Sequence, residues 1–417
     1  MEVLGKRLIT PVIRFRVQAF SFSRYIYSRS YSQQSPFDLE DEDEKFKDIN
    51  QMYVEMFTDN DDTKLTSKNE GSKQPSSDLD ELNDDMNDLL NVGYHKLTTT
   101  ELEEKVKAPG RFILQSLSNN PYYNLAIESY VFSHTPVEQN VRTAFDSQRL
   151  LFYVNRDCVV IGKNQNVWRE LHVNAVQERG YELMRRFSGG GTVVHDQGNV
   201  NYSFITSREE FRREYFNQLI VASLKASHPN LDLKLNGRGD IALGDRKVSG
   251  SAYKISRGKS YHHGTMLIRS NLDQFHGLLK PDSLKGITWK CNSVDSVRSA
   301  VENVPLDSTQ QFIDVCADGF KQRFKTQEGD EIPIYYCDED MTMNDEIKNY
   351  MSTLCSDEWK YMSGPRFEVR LESSGHSIAV EKGVIVESSI PTIIGTSFLD
   401  FTRNLSQFDD IDPELIL

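Results

Sequence analysis

The first chemistry in the chain lies at residues 185–205, which begin Arg185-Arg186-Phe187-Ser188-Gly189-Gly190-Gly191-Thr192-Val193-Val194-His195-Asp196. Three consecutive glycines let a backbone take positive φ and approach a ligand with no Cβ in the way. Their successive N–H groups can form a concave nest for an anion, to which two arginines add charge-assisted bonds. The stretch is neither G-x-G-x-x-G nor a Walker loop, because no Gly-Lys-Ser/Thr closes it and no strand–turn–helix surrounds it. A glycine hairpin with two solvated arginines is the plainer alternative for the same residues.

A second stretch, Asp245-Arg246-Lys247-Val248-Ser249-Gly250-Ser251-Ala252, puts one lysine at the start of a β-type run beside small residues. The Lys247 ammonium can reach into a cleft between strands, neutralise a carboxylate and then a phosphate oxygen, and stabilise charge building in a transition state. A solvated lysine at a strand edge is the other reading. Cys158 lies in an apolar β-type run and reads as core rather than as a thioester-forming nucleophile.

These residues need elements to hold them. Residues 111–117 read as a strand, and Pro121 opens a helix behind an Asn120 N-cap, with Tyr123, Ile127, Tyr130 and Val131 on one face. Asn124 and Glu128 sit beside that face, either as site residues or as a polar flank. Residues 150–155 and 158–161 read as a hairpin, 167–179 as a helix ended by Gly180, and 181–187 as the strand entering the glycine loop. Ser207 is expected to cap a long helix to residue 226. Residues 247–255 and 261–268 read as paired strands, and 272–279 and 308–324 as helices. From residue 327 a helix (344–355) and three antiparallel strands (367–372, 377–380, 384–388) make a small accessory unit. Without βαβ regularity the class is α+β.

The net charge of −14 over 417 residues is unevenly spread. Residues 1–36 hold six Lys/Arg and one acid, the pattern of a mitochondrial transit peptide or of a disordered basic arm. Residues 37–104 carry 21 acids against six lysines, so 37–107 is expected to be an acidic, disordered linker, with a short helix near 82–90. That leaves −4 for residues 105–417, a nearly neutral folded part for which no nucleic-acid partner is expected. No apolar run reaches membrane-spanning length. Five scattered cysteines with no C-x-x-C argue against a zinc cage or a disulfide scaffold.

Together, Arg-Arg-x-Ser-Gly-Gly-Gly-x-Val-x-His-Asp-x-Gly-Asn, Asn236-Gly237-Arg238-Gly239-Asp240, Lys247-Val248-Ser249-Gly250-Ser251-Ala252 and His262-His263-Gly264-Thr265 resemble the lipoate–protein ligase A family. The resemblance runs from about residue 111 to 389. It includes 121–128, Val160-Ile161-Gly162-Lys163-Asn164-Gln165-Asn166 and Ser296-Val297-Arg298-Ser299. It implies a biotinyl/lipoyl-ligase fold: a catalytic domain (108–326) with a mixed sheet and flanking helices, then an accessory α+β domain (327–417). It also implies activation of lipoate or octanoate by ATP and Mg²⁺ to an acyl-adenylate. The acyl group then passes to a lysine on lipoyl domains of 2-oxoacid dehydrogenase E2 subunits or glycine cleavage H protein, in the mitochondrial matrix.

Carried over by position, Arg186 holds phosphate, and Gly191, Thr192, Val193 and Val194 line the nucleotide. Lys247 contacts the acyl carboxylate and the α-phosphate. Arg186, Ser188, Gly189, Gly190, His195, Lys247 and His263 form the lipoate site, with His263 either near the acyl group or bracing the sheet. Asp240 holds the metal or caps its turn. One departure stands out: the family's Gly-Arg-Asn-Asp reads Gly237-Arg238-Gly239-Asp240 here. That keeps a rival open, a transferase moving a preformed acyl group from acyl-AMP, acyl-CoA or an acylated carrier protein. A non-catalytic binding module and a biotin ligase are further rivals. Arg208, Arg212 and Arg213 are either steering charges for an acidic acceptor or a solvated helix face.

Overall fold

The computed structural model describes residues 95–137, 145–281, 283–325, 331–409, 411 and 413–417. The expected leader, residues 37–94 of the linker and the short helix near 82–90 lie outside them. In chain order the main elements are α1 (Thr99–Lys107), β1 (Phe112–Ser116), α2 (Pro121–His134), β2 (Arg149–Tyr153), β3 (Cys158–Ile161), β4 (Glu182–Arg185), β5 (Val193–His195) and β6 (Asn199–Ser207). Then follow α3 (Tyr215–Ser227), β7 (Leu233–Leu235), β8 (Ile241–Leu243), β9 (Arg246–Lys247), β10 (Ser251–Ser256), β11 (Lys259–Leu267) and β12 (Ile287–Cys291). The chain closes with α4 (Thr309–Phe324), β13 (Ile334–Cys337), α5 (Asp345–Cys355), β14 (Phe367–Leu371), β15 (Ser377–Glu381) and β16 (Val384–Ser388).

Successive side chains of a strand face opposite sides, and this alternation sorts the apolar residues into layers. The large sheet runs β10-β11-β6-β2-β1-β13, antiparallel from β10 to β2 and parallel from β2 to β13. Leu150 and Phe152 of β2 face a core with α3 and α4, while Leu151 and Tyr153 face a second core with α2. Across that second core lies a small sheet, β4-β3-β5, whose Cys158 and Val160 point in and whose Val159 and Ile161 point out. The outward pair joins a third core with the antiparallel sheet β12-β14-β15-β16. A separate three-stranded ribbon, β7-β8-β9, packs Leu233 and Ile241 into the core with α3 and α4. The α+β class and the mixed sheet with flanking helices agree with the sequence reading.

Several expectations need correction. The linker does not extend to residue 107: Thr98 and Glu101 form a capping box for α1, and Leu97, Leu102 and Val106 are fully buried. The helix from Pro121 is not amphipathic. Every residue from Tyr123 to Phe132 is buried, Asn124 and Glu128 included, because α2 is enclosed by α1, α5 and β11. The expected 167–179 helix is two pieces, Val167–Glu170 and Val173–Glu178, separated where Leu171 bridges to Leu279. The helix expected from Ser207 begins only at Tyr215, after β6 has run its full nine residues. The run 247–255 divides into β9 and β10, so the chain leaves the ribbon for the large sheet just after Lys247.

The boundary at 326/327 does not follow the sheets either. β13 pairs with β1 in the large sheet, α5 packs on α2, and β12 gives the accessory sheet its first strand. Arg185, fully buried, joins the two regions. Its guanidinium donates to the carbonyls of Gly162, Lys163 and Gln165 on one side and of Trp359 and Lys360 on the other, and Trp359 Nε1 donates back to the Arg185 carbonyl at 2.7 Å. Arg185→Met strands these carbonyls without donors. It should lower the free energy of unfolding by about 3 kcal/mol, read from urea melts; a midpoint equal to wild type would show that the brace carries no stability.

Candidate active site

Arg186 follows Arg185 and faces the other way, beneath the glycine loop. It is buried. Nε donates to Ser188 Oγ at 3.0 Å, Nη1 to the Val160 carbonyl at 3.1 Å, and Nη2 to the carbonyls of Gly189 at 2.6 Å and Gly191 at 2.7 Å. Burial pulls its pKa down to about 10, so it stays cationic at neutral pH. The expected phosphate-holding arginine thus anchors the glycine loop while also lining the cavity beside it. Since C=O and the following N–H of a trans peptide point in opposite directions, drawing the carbonyls of 189 and 191 inward turns the amides of Gly190 and Thr192 outward. Gly190 accordingly sits at φ +91°. A Cβ on Gly162, across the loop, would collide with the Gly190 carbonyl oxygen.

The Thr192 amide meets a polar seam. It donates to Ser296 Oγ at 2.8 Å, Gln165 Nε2 donates to the same oxygen at 3.0 Å, and Ser296 Oγ donates to Glu170 Oε2 at 2.6 Å. Gln165 Oε1 accepts from Gly162 N and Thr192 Oγ1. Burial raises the Glu170 pKa. This seam pins residues 294–297 against the glycine loop.

Between the loop, β10 and β11 lies a cavity of about 260 Å³. Arg238, Asp240, Lys247, Thr192 and Asp295 line its polar end, and Leu125, Tyr153, Val160 and Val193 its more apolar end, with Arg186, His195, Asn201 and His263 in the wall. Lys247 is clamped through its backbone: its N–H donates to the Ala300 carbonyl at 2.9 Å, and its carbonyl accepts from Glu302 N at 3.0 Å. The Nζ lies 3.2 Å from Asp240 Oδ1, and Asp240 Oδ2 lies 3.4 Å from Arg238 Nη2. Asp240 thus bridges two cations. Among the described residues no three His, Cys, Asp or Glu side chains gather as a metal cage.

Two polar chains run from α2 to the histidines. Glu128 faces His263 Nδ1 at 3.0 Å, and His263 Nε2 faces Ser188 Oγ at 2.8 Å, which in turn accepts from Arg186. One helical turn earlier, Asn124 donates to Asn155 Oδ1 at 2.9 Å, and Asn155 Nδ2 donates to His195 Nδ1 at 3.0 Å. His263 thus both lines the cavity and braces the sheet.

The structure brings Arg186, Gly191, Thr192, Val193, His195, Asp240, Lys247 and His263 to one cavity. It does not bring Val194, whose side chain packs on the third core, while Ser188, Gly189 and Gly190 act behind the wall. Asp196 ties the turn beyond β5, accepting from Ser270 Oγ and Asn271 N at 2.7 Å each. Cys158 is fully buried, burial drives its thiol pKa well up, and it is core. Of the three rim arginines, which lie on a turn and not a helix, only Arg213 lines the cavity. Sequence reasoning missed Asn155, Gln165, Glu170 and Ser296 as supports. A buried carboxylate or amide needs partners, but their burial becomes visible only in three dimensions.

The lipoyl protein ligase A/B catalytic domain family matches residues 120–325. The chain is 46% identical to a "Putative lipoate-protein ligase A" of Saccharomyces cerevisiae over 378 residues, covering 88% of this chain and 91% of that one. It is 34% identical to the "Lipoyl amidotransferase LIPT1, mitochondrial" of Homo sapiens, over 62% of this chain and 67% of that one. The fold resembles P. falciparum LipL1 in complex with lipoate, with a TM-score of 0.51, 24% identity, and coverage of 71% of this chain and 94% of that one. Fold and site together define an enzyme of the lipoyl-attachment type. The chain belongs to the lipoate–protein ligase A family.

Gly162→Ala should displace the glycine loop through its carbonyl at 190 and slow acyl transfer at least about 100-fold. A crystal structure of the variant with an unmoved loop, or transfer at wild-type speed, would contradict the packing described.

Proposed function

We propose that the chain activates lipoate or octanoate with ATP and passes the acyl group to a lysine ε-amine on a lipoyl domain. The observation that carries this reading is the Lys247 ammonium, clamped at the polar end of a cavity whose other end is apolar. An acyl chain fits the apolar end with its carboxylate at Lys247. There Lys247 exchanges Asp240 for the substrate carboxylate and an α-phosphate oxygen, lowering the repulsion between two anions that must meet. The carboxylate oxygen bonds to the α-phosphorus as the bond to pyrophosphate breaks. The acceptor amine then attacks the acyl carbon and AMP departs. No side chain becomes covalently acylated; positioning and charge neutralisation supply the rate.

Mg²⁺ suits this donor set as a companion of the nucleotide, since it binds through one or two carboxylates plus phosphate oxygens, and Asp240 and Asp295 are the carboxylates lining the cavity. It would supply further neutralisation of phosphate charge. Lipoyl domains of E2 subunits or H protein are the proposed acceptors, and the mitochondrion the proposed location, supported by the basic leader and by the address in the human relative's name.

Gly239 favours a second reading. It sits at φ +80°, where the family's asparagine would offer an amide. Without that amide, transfer of a preformed acyl group gains ground over activation of the free acid.

Lys247→Ala should cut labelling of a lipoyl-domain lysine by about 10²–10³. Wild-type enzyme should exchange pyrophosphate into ATP only when lipoate or octanoate is present. Absent exchange with intact transfer from an acyl thioester would select the second reading, and undiminished labelling by the Lys247→Ala variant would end both.

A further inference from the structure

One residue of the cavity wall, His195, carries a buried polar atom without a partner. His195 lines the cavity and is 4% exposed; its Nε2 is buried and makes no hydrogen bond among the described residues. The orientation of its ring proton follows from the chain of amides behind it. Asn124 Nδ2 donates to the Ser118 carbonyl at 2.9 Å and also to Asn155, so the Asn155 atom facing it is the oxygen. The other Asn155 atom is therefore the NH₂, which donates to His195 Nδ1. With Nδ1 an acceptor, the proton of a neutral ring resides on Nε2. Burial and the neighbouring Arg186 hold the imidazole pKa down to about 3, which keeps the ring neutral. Beside Leu125, Tyr153 and Val160 the cavity wall thus contains a fixed, unsatisfied N–H donor.

Its position along the ligand path follows from β5. Val193 Cγ1 and Lys247 Cε lie 3.6 and 3.8 Å from one point, the Cβ position of Gly250, so Val193 stands beside the lysine. His195 is two residues further along the strand, about 7 Å away. A carboxylate at Lys247 would extend its chain past Val193 and bring its distal half to His195. A saturated hydrocarbon leaves the donor unpaired, whereas the dithiolane ring of lipoate carries sulfur at C6 and C8.

We propose that His195 Nε2–H is a specificity-determining donor that reads a dithiolane sulfur and so makes the enzyme prefer lipoyl over octanoyl groups. The inference rests on the reading in which Lys247 holds the carboxylate end. Burying a donor without a partner is unfavourable, so the preference comes as much from octanoyl leaving the N–H orphaned as from lipoyl satisfying it.

The test uses preformed lipoyl-AMP and octanoyl-AMP as donors, a lipoyl domain as acceptor, and the full chain, so that the outcome does not depend on the ATP step. His195→Phe and His195→Leu should lower the lipoyl-to-octanoyl ratio of kcat/KM about tenfold, the shift residing in KM. His195→Gln, which retains an N–H donor, should keep the ratio within about threefold of wild type. Thermal melts identify any variant that fails to fold, and the remaining variants decide. An unchanged ratio in the folded apolar variants, with both donors slowed alike, would make His195 a structural brace and overturn the proposal. Failure of the underlying reading looks different: Lys247→Ala would then transfer both groups at wild-type rates.

Discussion

Burying a cation is costly unless every donor finds an acceptor, and this constraint organises the catalytic region. Arg185 and Arg186 are adjacent at the end of one short strand and so project to opposite sides. Neither forms an ion pair among the described residues; both bind backbone carbonyls, and burial lowers each pKa to about 10. One guanidinium sets the glycine loop by drawing its carbonyls inward. The other ties the loop at 162–165 to the segment at 359–360. The ligand-facing geometry is thus set by two buried charges, of which Arg186 also lines the cavity.

Much of the site was legible because its signals are local. A triple glycine, a lysine before small residues and a histidine two residues into a β-run can be read from neighbours in sequence, and Gly191, Thr192, Val193, His195, Lys247 and His263 do meet at one cavity. The loop-bracing bonds of Arg186 were not legible, because residue type reports charge and not which carbonyls it binds. Helix α2 was misread for a related reason. Its apolar residues show a favoured face, but packing on all sides buries the remainder too, Asn124 and Glu128 with it. The accessory boundary was misplaced because strand pairing is non-local: nothing near Ile334 announces that its partner is Ile113.

Those two polar residues of α2 explain how the two cavity histidines acquire defined orientations. Residues four apart share a helix face, so Asn124 and Glu128 address neighbouring points of the large sheet. Each orients one histidine, Glu128 directly and Asn124 through Asn155. The helix is thereby part of the site's support although it contributes little surface to the ligand.

The pairing of β13 with β1 has a further consequence, for the order in which the molecule can be built. The edge of β1 is made early in synthesis, yet its covering strand is among the later ones to emerge, and Trp359 follows later still. Until then the growing chain carries an open strand edge of the kind that invites association, and long sequence separation between partners slows closure. The loop at 162–165, which Arg185 ties to the carbonyls at 359 and 360, gains that tie only once those residues have emerged. Support for the catalytic region is therefore complete only after Trp359 and Lys360 have joined it.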